Sequence, residues 1–355
     1  MNAVLLTGQG GYECLVHRSD VPTPTPGADE VLVHVGAAGM NNTDINMRTG
    51  WYSKSVTRST GNAAQRDPSK TAAQGSGWTG AGIVFPLIQG ADACGRIVGT
   101  GSGVAAARLG QRVLVDPVLR SRPTAHGMRT LYLGSDCDGA FADYVCVPAV
   151  NAHPIDSSLS DAELASFPCS YTAAENMLTR AGVRNGETVL VTGASGGVGS
   201  AAVQLAKRRG ARIVAIAAAS KAAEVLRLGA SRVLPRDADL VAALGKESVD
   251  AVIDVVGGEQ FPDLLEILRP GCRYAVAGAI GGALVTLDLR TLYLKDLRLL
   301  GCTIAEPEIF PALVRYIEQA EIGPVLAKTY QLRDIADAQR DFLAKHHLGK
   351  IVLTP

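Results

Sequence analysis

The sequence has no net charge to offer a partner: Lys+Arg and Asp+Glu both number 34 in 355 residues. Without a field of one sign, neither nucleic acid nor an anionic membrane is an expected partner. No apolar run reaches membrane-spanning length, and the N-terminus lacks a charged-then-apolar segment. Both absences argue against a membrane span or a secretory signal and point to the cytoplasm. The seven cysteines (14, 94, 137, 146, 169, 272 and 302) are odd in number and scattered, with no Cys-x-x-Cys. That pattern suits reduced thiols rather than a disulfide framework. Aromatics are scarce at 5%, whereas Gly, Ala and Val abound, as in α/β enzymes. The length suggests two domains.

What the sequence does have is the stretch Glu187–Lys207. Thr188, Val189, Val191 and Thr192 make a β-branched run that reads as a buried strand. Gly193-Ala194-Ser195-Gly196-Gly197-Val198-Gly199 follows as a glycine-rich turn, and Val198, Ala202, Leu205 and Ala206 then recur at helical spacing. A strand, a glycine turn and a helix in that order form a dinucleotide-binding context. Gly196 and Gly197 let backbone approach a pyrophosphate, Gly199 allows close helix–strand packing, and the first helical amides face the anion. Ala194, Ser195, Gly196, Gly197 and Val198 are therefore expected cofactor contacts.

The chain before residue 150 reads as short strands, including 31–35, 111–115 and 141–147, in a mostly antiparallel β unit. From about 155 helices and strands alternate, with strands expected at 189–192, 212–216, 250–254, 273–277 and 298–302, and Ser160-Asp-Ala-Glu163 as a capping box. Such alternation implies a doubly wound parallel sheet. Gly349-Lys-Ile-Val-Leu353 returns to β character and is expected to rejoin the first domain. The expected division is 1–154 with 323–355 as the substrate domain, and 155–322 as the cofactor domain. Residues 53–83 are polar and glycine-rich without periodicity, and are read either as a substrate lid or as a surface loop.

In NAD-binding sheets an acidic residue ends the second strand and holds the ribose 2′-hydroxyl. Here Arg212-Ile-Val-Ala-Ile216 is followed by Ala217, Ala218 and Ala219, then Ser220 and Lys221. With that carboxylate missing, Ser220 and Lys221 are expected to take a 2′-phosphate, making the cofactor NADP(H). Ser220 is also expected to cap a helix over 221–228, and Arg236 is a weaker phosphate or adenine contact.

Gly39-Met-Asn-Asn-Thr-Asp44, Gly90-Ala-Asp-Ala-Cys-Gly95, Asp138-Gly-Ala-Phe-Ala-Asp-Tyr-Val-Cys-Val-Pro148, Ala194-Ser-Gly-Gly-Val-Gly199, Leu268-Arg-Pro-Gly-Cys-Arg273 and Gly349-Lys-Ile-Val-Leu353 occur in this order along nearly the whole chain. With them the sequence resembles the medium-chain dehydrogenase/reductase superfamily, most of all its zinc-free quinone oxidoreductase and enoyl reductase branches. The resemblance implies a Rossmann domain, a mostly β GroES-like catalytic domain and a homodimer, for which the sheet edge near 273–288 is the expected contact. Where zinc-dependent members carry a cysteine, a histidine and a second cysteine, this sequence has Asn41, Ala91 and Cys169. A lone thiol cannot hold catalytic Zn²⁺, so no metal is expected.

Without such a Lewis acid, hydride transfer suits an acceptor already electrophilic, a quinone or an α,β-unsaturated carbonyl. The resemblance to enoyl-thioester reductases over Asn41–Tyr52 implies Tyr52 as the proton donor, with loop packing as the other reading. Asn41 would hydrogen-bond near the nicotinamide ribose or carbonyl. Asp44 and Arg48 have the spacing of a local ion pair. Sheet geometry adds Val256 with Gly257, and Gly278, Ala279 and Ile280, at the nicotinamide half. Thr172 (or its neighbour Ala173) would reach the carboxamide. The functions consistent with these residues are an NADPH-dependent quinone or enone reductase, an enoyl-thioester reductase whose lid cations Lys54, Arg58, Arg66 and Lys70 would meet a carrier phosphate, or a non-catalytic NADPH-binding sensor.

Overall fold

The computed structural model describes residues 1–57, 59–63, 77, 82–124 and 127–355, with backbone alone at 62–63, 121–124 and 127–129. Arg58, Arg66 and Lys70, and most of the expected lid, lie outside the described residues. The chain forms two compact units. The first is Met1–Val56, Gly61–Cys169 and Phe310–Pro355; the second is Thr57–Thr60 and Ser170–Ile309. The units thus divide at 169/170 and 309/310. One reason is local: Arg112 pairs with Asp161 and donates to the carbonyls of Ser157 and Leu159, tying 157–161 to the β unit.

The first unit is built on strand Glu30–Gly39. Val31, Val33 and Val35 are buried while His34 between them is exposed, the period-2 signature of a sheet with one covered face. Ala37, Ala38 and Gly39 are buried in succession. This strand pairs antiparallel with Cys94–Thr100, Tyr144–Pro148 and Lys350–Thr354. Val352 lies opposite Gly39, so the last strand does rejoin the first unit and brings Lys350 beside the start of helix Asn42–Thr49. Gly39 lets Ala165 and Asp92 come close, since a Cβ there would lie within 2.4 Å of the Ala165 carbonyl and 2.6 Å of Asp92 Oδ2.

The second unit holds a six-stranded parallel sheet in the order Arg232–Leu234, Arg212–Ile216, Thr188–Val191, Val249–Asp254, Leu268–Val276, Arg298–Gly301. The order reverses beside Thr188–Val191, the switch point at which doubly wound sheets bind ligands. Leu190, Val214, Val252, Leu264 and Tyr274 belong to its buried core. Arg273–Val276 pairs on both sides, with Val249–Asp254 and with Arg298–Gly301. On this side the edge strand is therefore Arg298–Gly301, with Arg232–Leu234 at the other edge, and the expectation of an edge near 273–288 is corrected. Ser160 caps the short helix Asp161–Leu164 as its capping box predicts. No helix among the described residues is long and apolar enough to cross a membrane.

Candidate functional site

Two groups of expected residues come together, one in each unit. In the second unit, Ala194-Ser195-Gly196 turns directly into helix Gly197–Arg208. Gly196 is the N-cap in extended geometry, and no side chain caps the helix. The amides of the first turn thus face outward with the positive end of the helix dipole. A Cβ at Gly199 would lie 2.2 Å from the Gly193 carbonyl, so this helix turn packs backbone against backbone. Ala194 and Ser195 are buried, whereas Gly196 is exposed and Gly197 and Val198 are half-buried. An uncapped helix start carrying glycines is chemically suited to a pyrophosphate.

The end of the second strand departs from expectation in detail. Ser220 does not cap a helix; it lies exposed in the turn Ala219–Lys221, and the helix runs Ala222–Leu228 with Lys221 as its N-cap. Lys221 is buried, only 7% exposed. Burial, followed by the nearby Arg236 guanidinium, lowers its pKa. The Glu224 carboxylate acts in the opposite direction.

At the ends of the next two strands, Val256 and Gly257 lie against 278–282: Gly281 N–H donates to the Val256 carbonyl at 2.8 Å, and Gly257 bridges to Gly282. Gly278, Ala279 and Ile280 are all half-exposed. Thr60 N–H donates to the Ile280 carbonyl at 3.2 Å, so a described part of the expected lid segment reaches this loop. Thr172 is 5% exposed, and its hydroxyl oxygen has no hydrogen-bond partner among the described residues. An orphaned buried hydroxyl fits a residue whose partner is a ligand amide.

In the first unit, Asn41, Asp44, Tyr52, Asp92, Tyr132, Cys169 and Lys350 form one polar cluster. Lys350 Nζ donates to Asp92 Oδ2 at 2.7 Å, to Asn41 Oδ1 at 2.6 Å and to the Met40 carbonyl at 2.6 Å. Asn41 Nδ2 donates to Asp92 Oδ2 at 3.0 Å, and Asp92 Oδ1 accepts from Cys169 N–H at 2.6 Å. Both ends of the Asn41 amide are therefore engaged within the protein. Asp44 accepts from Asn41 N–H at 2.7 Å, and burial pushes its carboxyl up to about 7. Arg48 makes no local pair with Asp44: it donates to Gln339 Oε1 at 2.8 Å and to the Gly10 carbonyl at 2.7 Å.

Tyr52 is half-buried against Trp51, edge to face at 5.6 Å, and donates to Thr43 Oγ1 over a long 3.4 Å. Burial raises its pKa, so the phenol holds its proton at neutral pH. The Cys169 thiol accepts from Tyr132 OH at 3.1 Å, and burial pushes it up to about 12. With Asn41 bonded to an ammonium and a methyl group at Ala91, Cys169 is a lone thiol, and this donor set does not fit a divalent ion. No group of three or more His, Cys, Asp or Glu suited to a metal occurs among the described residues.

Sequence reasoning found the glycine turn and the strand ends, but it missed Lys350 and Asp92. Each lies in a quoted motif, Gly349-Lys-Ile-Val-Leu353 and Gly90-Ala-Asp92, and the signal was a charge in an otherwise apolar setting.

Comparison with known proteins is consistent with both units. A family described as "Alcohol dehydrogenase GroES-like domain" matches residues 27–157, and one described as "Zinc-binding dehydrogenase" matches 197–319. An acryloyl-coenzyme A reductase of Metallosphaera sedula is 28% identical over 365 aligned positions, covering 100% of both chains. A quinone oxidoreductase of Rattus norvegicus is 26% identical, covering 99% of this chain and 97% of its own. The crystal structure of a putative alcohol dehydrogenase from Sinorhizobium meliloti superposes with a TM-score of 0.89 at 47% identity, covering 100% of this chain and 96% of that one.

Proposed function

Since the chain belongs to the medium-chain dehydrogenase/reductase superfamily, we propose that this oxidoreductase is NADPH-dependent and zinc-independent, and reduces quinones or α,β-unsaturated carbonyls. The observation that carries this reading is the Lys350–Asp92–Asn41 cluster, in which an ammonium engages the side chain found where a metal ligand would be needed. Lacking a Lewis acid to polarise an alcohol or simple ketone, the site suits an acceptor that is electrophilic by itself.

Bound NADPH would supply hydride from C4 of its nicotinamide to the β-carbon or the quinone ring. The chain's own residues do the rest. The Gly197–Gly199 amides bind the pyrophosphate, while Ser220, Lys221 and Arg236 receive the 2′-phosphate. Thr172 holds the carboxamide. Val256, Gly278, Ala279 and Ile280 line the nicotinamide half. Tyr52, protonated at neutral pH, donates to the developing enolate oxygen or α-carbon. Asn41, held by Lys350 and Asp92 at the start of helix Asn42–Thr49, which carries Thr43 next to Tyr52, hydrogen-bonds near the nicotinamide ribose or carbonyl.

The second reading, an enoyl-thioester reductase, is favoured by the acryloyl-coenzyme A reductase relative. Of its expected lid cations only Lys54 is among the described residues, and it is exposed. A homodimer fits the exposed apolar side chains of Leu289, Tyr293 and Leu294 on the helix Leu289–Leu294 and of Leu299 on the edge strand Arg298–Gly301. The deciding experiment is turnover of NADPH and NADH against enones, quinones and enoyl-thioesters. Preference for NADPH with an enone or quinone supports the proposal, thioester preference supports the second reading, and binding of NADPH without turnover on any acceptor supports a sensor.

A further inference from the structure

At the end of strand Val249–Asp254 stands a carboxylate that the proposed chemistry does not use. Asp254 has no solvent exposure, and among the described residues it has no cationic partner. All its bonds are to neutral donors. The hydroxyls of Thr192 and Tyr274 both donate to it, Thr192 to Oδ1 and Tyr274 to Oδ2. Val256 N–H donates to Oδ1 at 2.8 Å, and Gly257 N–H is shared between Oδ1 at 3.2 Å and Oδ2 at 3.1 Å. The Thr192 hydroxyl is itself anchored, accepting from Val255 N–H at 3.1 Å. Tyr274 stands edge-on to Phe261 at 5.2 Å within the core of the unit.

Burying a carboxylate without a counter-charge is costly, so stability alone does not account for it. What it holds is the turn 255–257, and that turn holds a second one. Gly281 N–H bonds to the Val256 carbonyl at 2.8 Å. Gly257 has φ of +62°, and a Cβ on it would lie 2.9 Å from the Gly282 carbonyl. A Cβ on Gly278 would likewise lie 2.9 Å from the Val255 carbonyl. The two turns are thus pressed together main chain to main chain, with the first pinned by Asp254.

We propose that Asp254 is a positioning residue for cofactor: through Thr192, Tyr274 and the amides of Val256 and Gly257 it fixes the paired turns 255–258 and 278–282 as the surface on which the nicotinamide ring lies. This rests on the cofactor reading above, which places the nicotinamide at these strand ends. Asp254 touches no reacting atom; it acts through the turns. Two hydroxyls and two backbone amides donate to it, so a group that accepts on both oxygens suits the position. Asparagine has the same shape but presents an NH₂ to one of those donors.

The test compares NADPH with 2′,5′-ADP, which keeps the adenosine and its phosphate but has no nicotinamide. Titration calorimetry on Asp254→Asn should show NADPH binding weakened by about tenfold or more and turnover cut by up to about a hundredfold, since small misplacements cost that much. Binding of 2′,5′-ADP should stay within about twofold. Equal loss for both ligands, or no loss for either, overturns the assignment. Should Asp254→Asn not fold, Thr192→Val and Thr192→Ser decide: the serine must restore NADPH affinity that the valine loses, with 2′,5′-ADP unmoved in both. Parity of the two variants overturns it. A wild-type protein that binds neither ligand overturns the cofactor reading and this assignment with it, whereas wild-type binding of both with an unaltered Asp254→Asn overturns the assignment alone.

Discussion

Lys350 and Asp92 form an ion pair at 2.7 Å that solvent barely reaches, their side chains being 3% and 0% exposed. Removing one member of such a pair leaves an uncompensated buried charge, which costs about 3–5 kcal/mol. Lys350→Met and Asp92→Asn should each lower the urea midpoint accordingly. The double variant should lose clearly less than the sum of the two, because neither charge is then stranded. Additive losses would show that the pair is not coupled.

Tyr52→Phe removes the proposed acid together with a long 3.4 Å bond to Thr43 and an interaction with Asn46. General acid catalysis contributes about a hundredfold to ten-thousandfold, so enone turnover should fall within that range. The dissociation constant for NADPH, measured by fluorescence titration, should not move. Unchanged turnover would assign the proton to solvent.

Lys221→Ala should weaken NADPH and leave NADH untouched. A hydrogen bond to a charged group is worth about 1.5–3 kcal/mol, so the NADPH dissociation constant should rise by roughly ten- to a hundredfold. Equal losses for both nucleotides would mean that Lys221 supports the turn rather than the 2′-phosphate.

Thr172→Val tests the orphaned hydroxyl. The free protein should become no less stable, because a buried hydroxyl without a partner costs about 1–3 kcal/mol. Affinity for the cofactor should fall. Melting temperatures with and without NADPH separate the two effects, and loss of stability in the free protein would argue against a ligand-facing role.

Asp44 gives a pH dependence of unusual sign. Its carboxyl moves from 3.8 to about 7 through burial, so the folded chain holds a proton that the unfolded chain has released. Below the lower value both states are protonated and nothing changes. Between about pH 4 and 7 the folded state binds more protons, so stability declines as pH rises, by up to about 1.4 kcal/mol per unit from this group. Above pH 7 the decline stops. Asp44→Asn, which keeps the bond to Asn41 N–H, should flatten that slope in urea titrations at several pH values.

The parts legible in sequence are those governed by neighbours in the chain. The strand–turn–helix over 188–208, the Ser160 capping box and the alternation of strands and helices in the second unit all rest on local periodicity and turn chemistry. The burial of Lys221 depends on packing that the spacing does not encode. Asp44 and Arg48 have ion-pair spacing, yet each is drawn to a different partner, Asn41 N–H and Gln339. The sheet edge was misplaced because Arg298–Gly301 is a short strand that covers Arg273–Val276 on one side. Asp254, finally, reads as the last residue of a strand, and its donors come from positions as distant as Thr192.

The bonds from Lys350 to Asn41 and Asp92 join residues separated by 309 and 258 positions. Contacts of that span close slowly, and they cannot exist while the ribosome still retains the last strand. A nascent chain halted before Lys350 emerges should therefore have a protease-sensitive first unit, with Asp92 lacking its cation, even if the parallel sheet has already formed. Pulse proteolysis of arrested chains, with stall points placed on either side of Lys350, would register that late completion as a single abrupt gain in resistance.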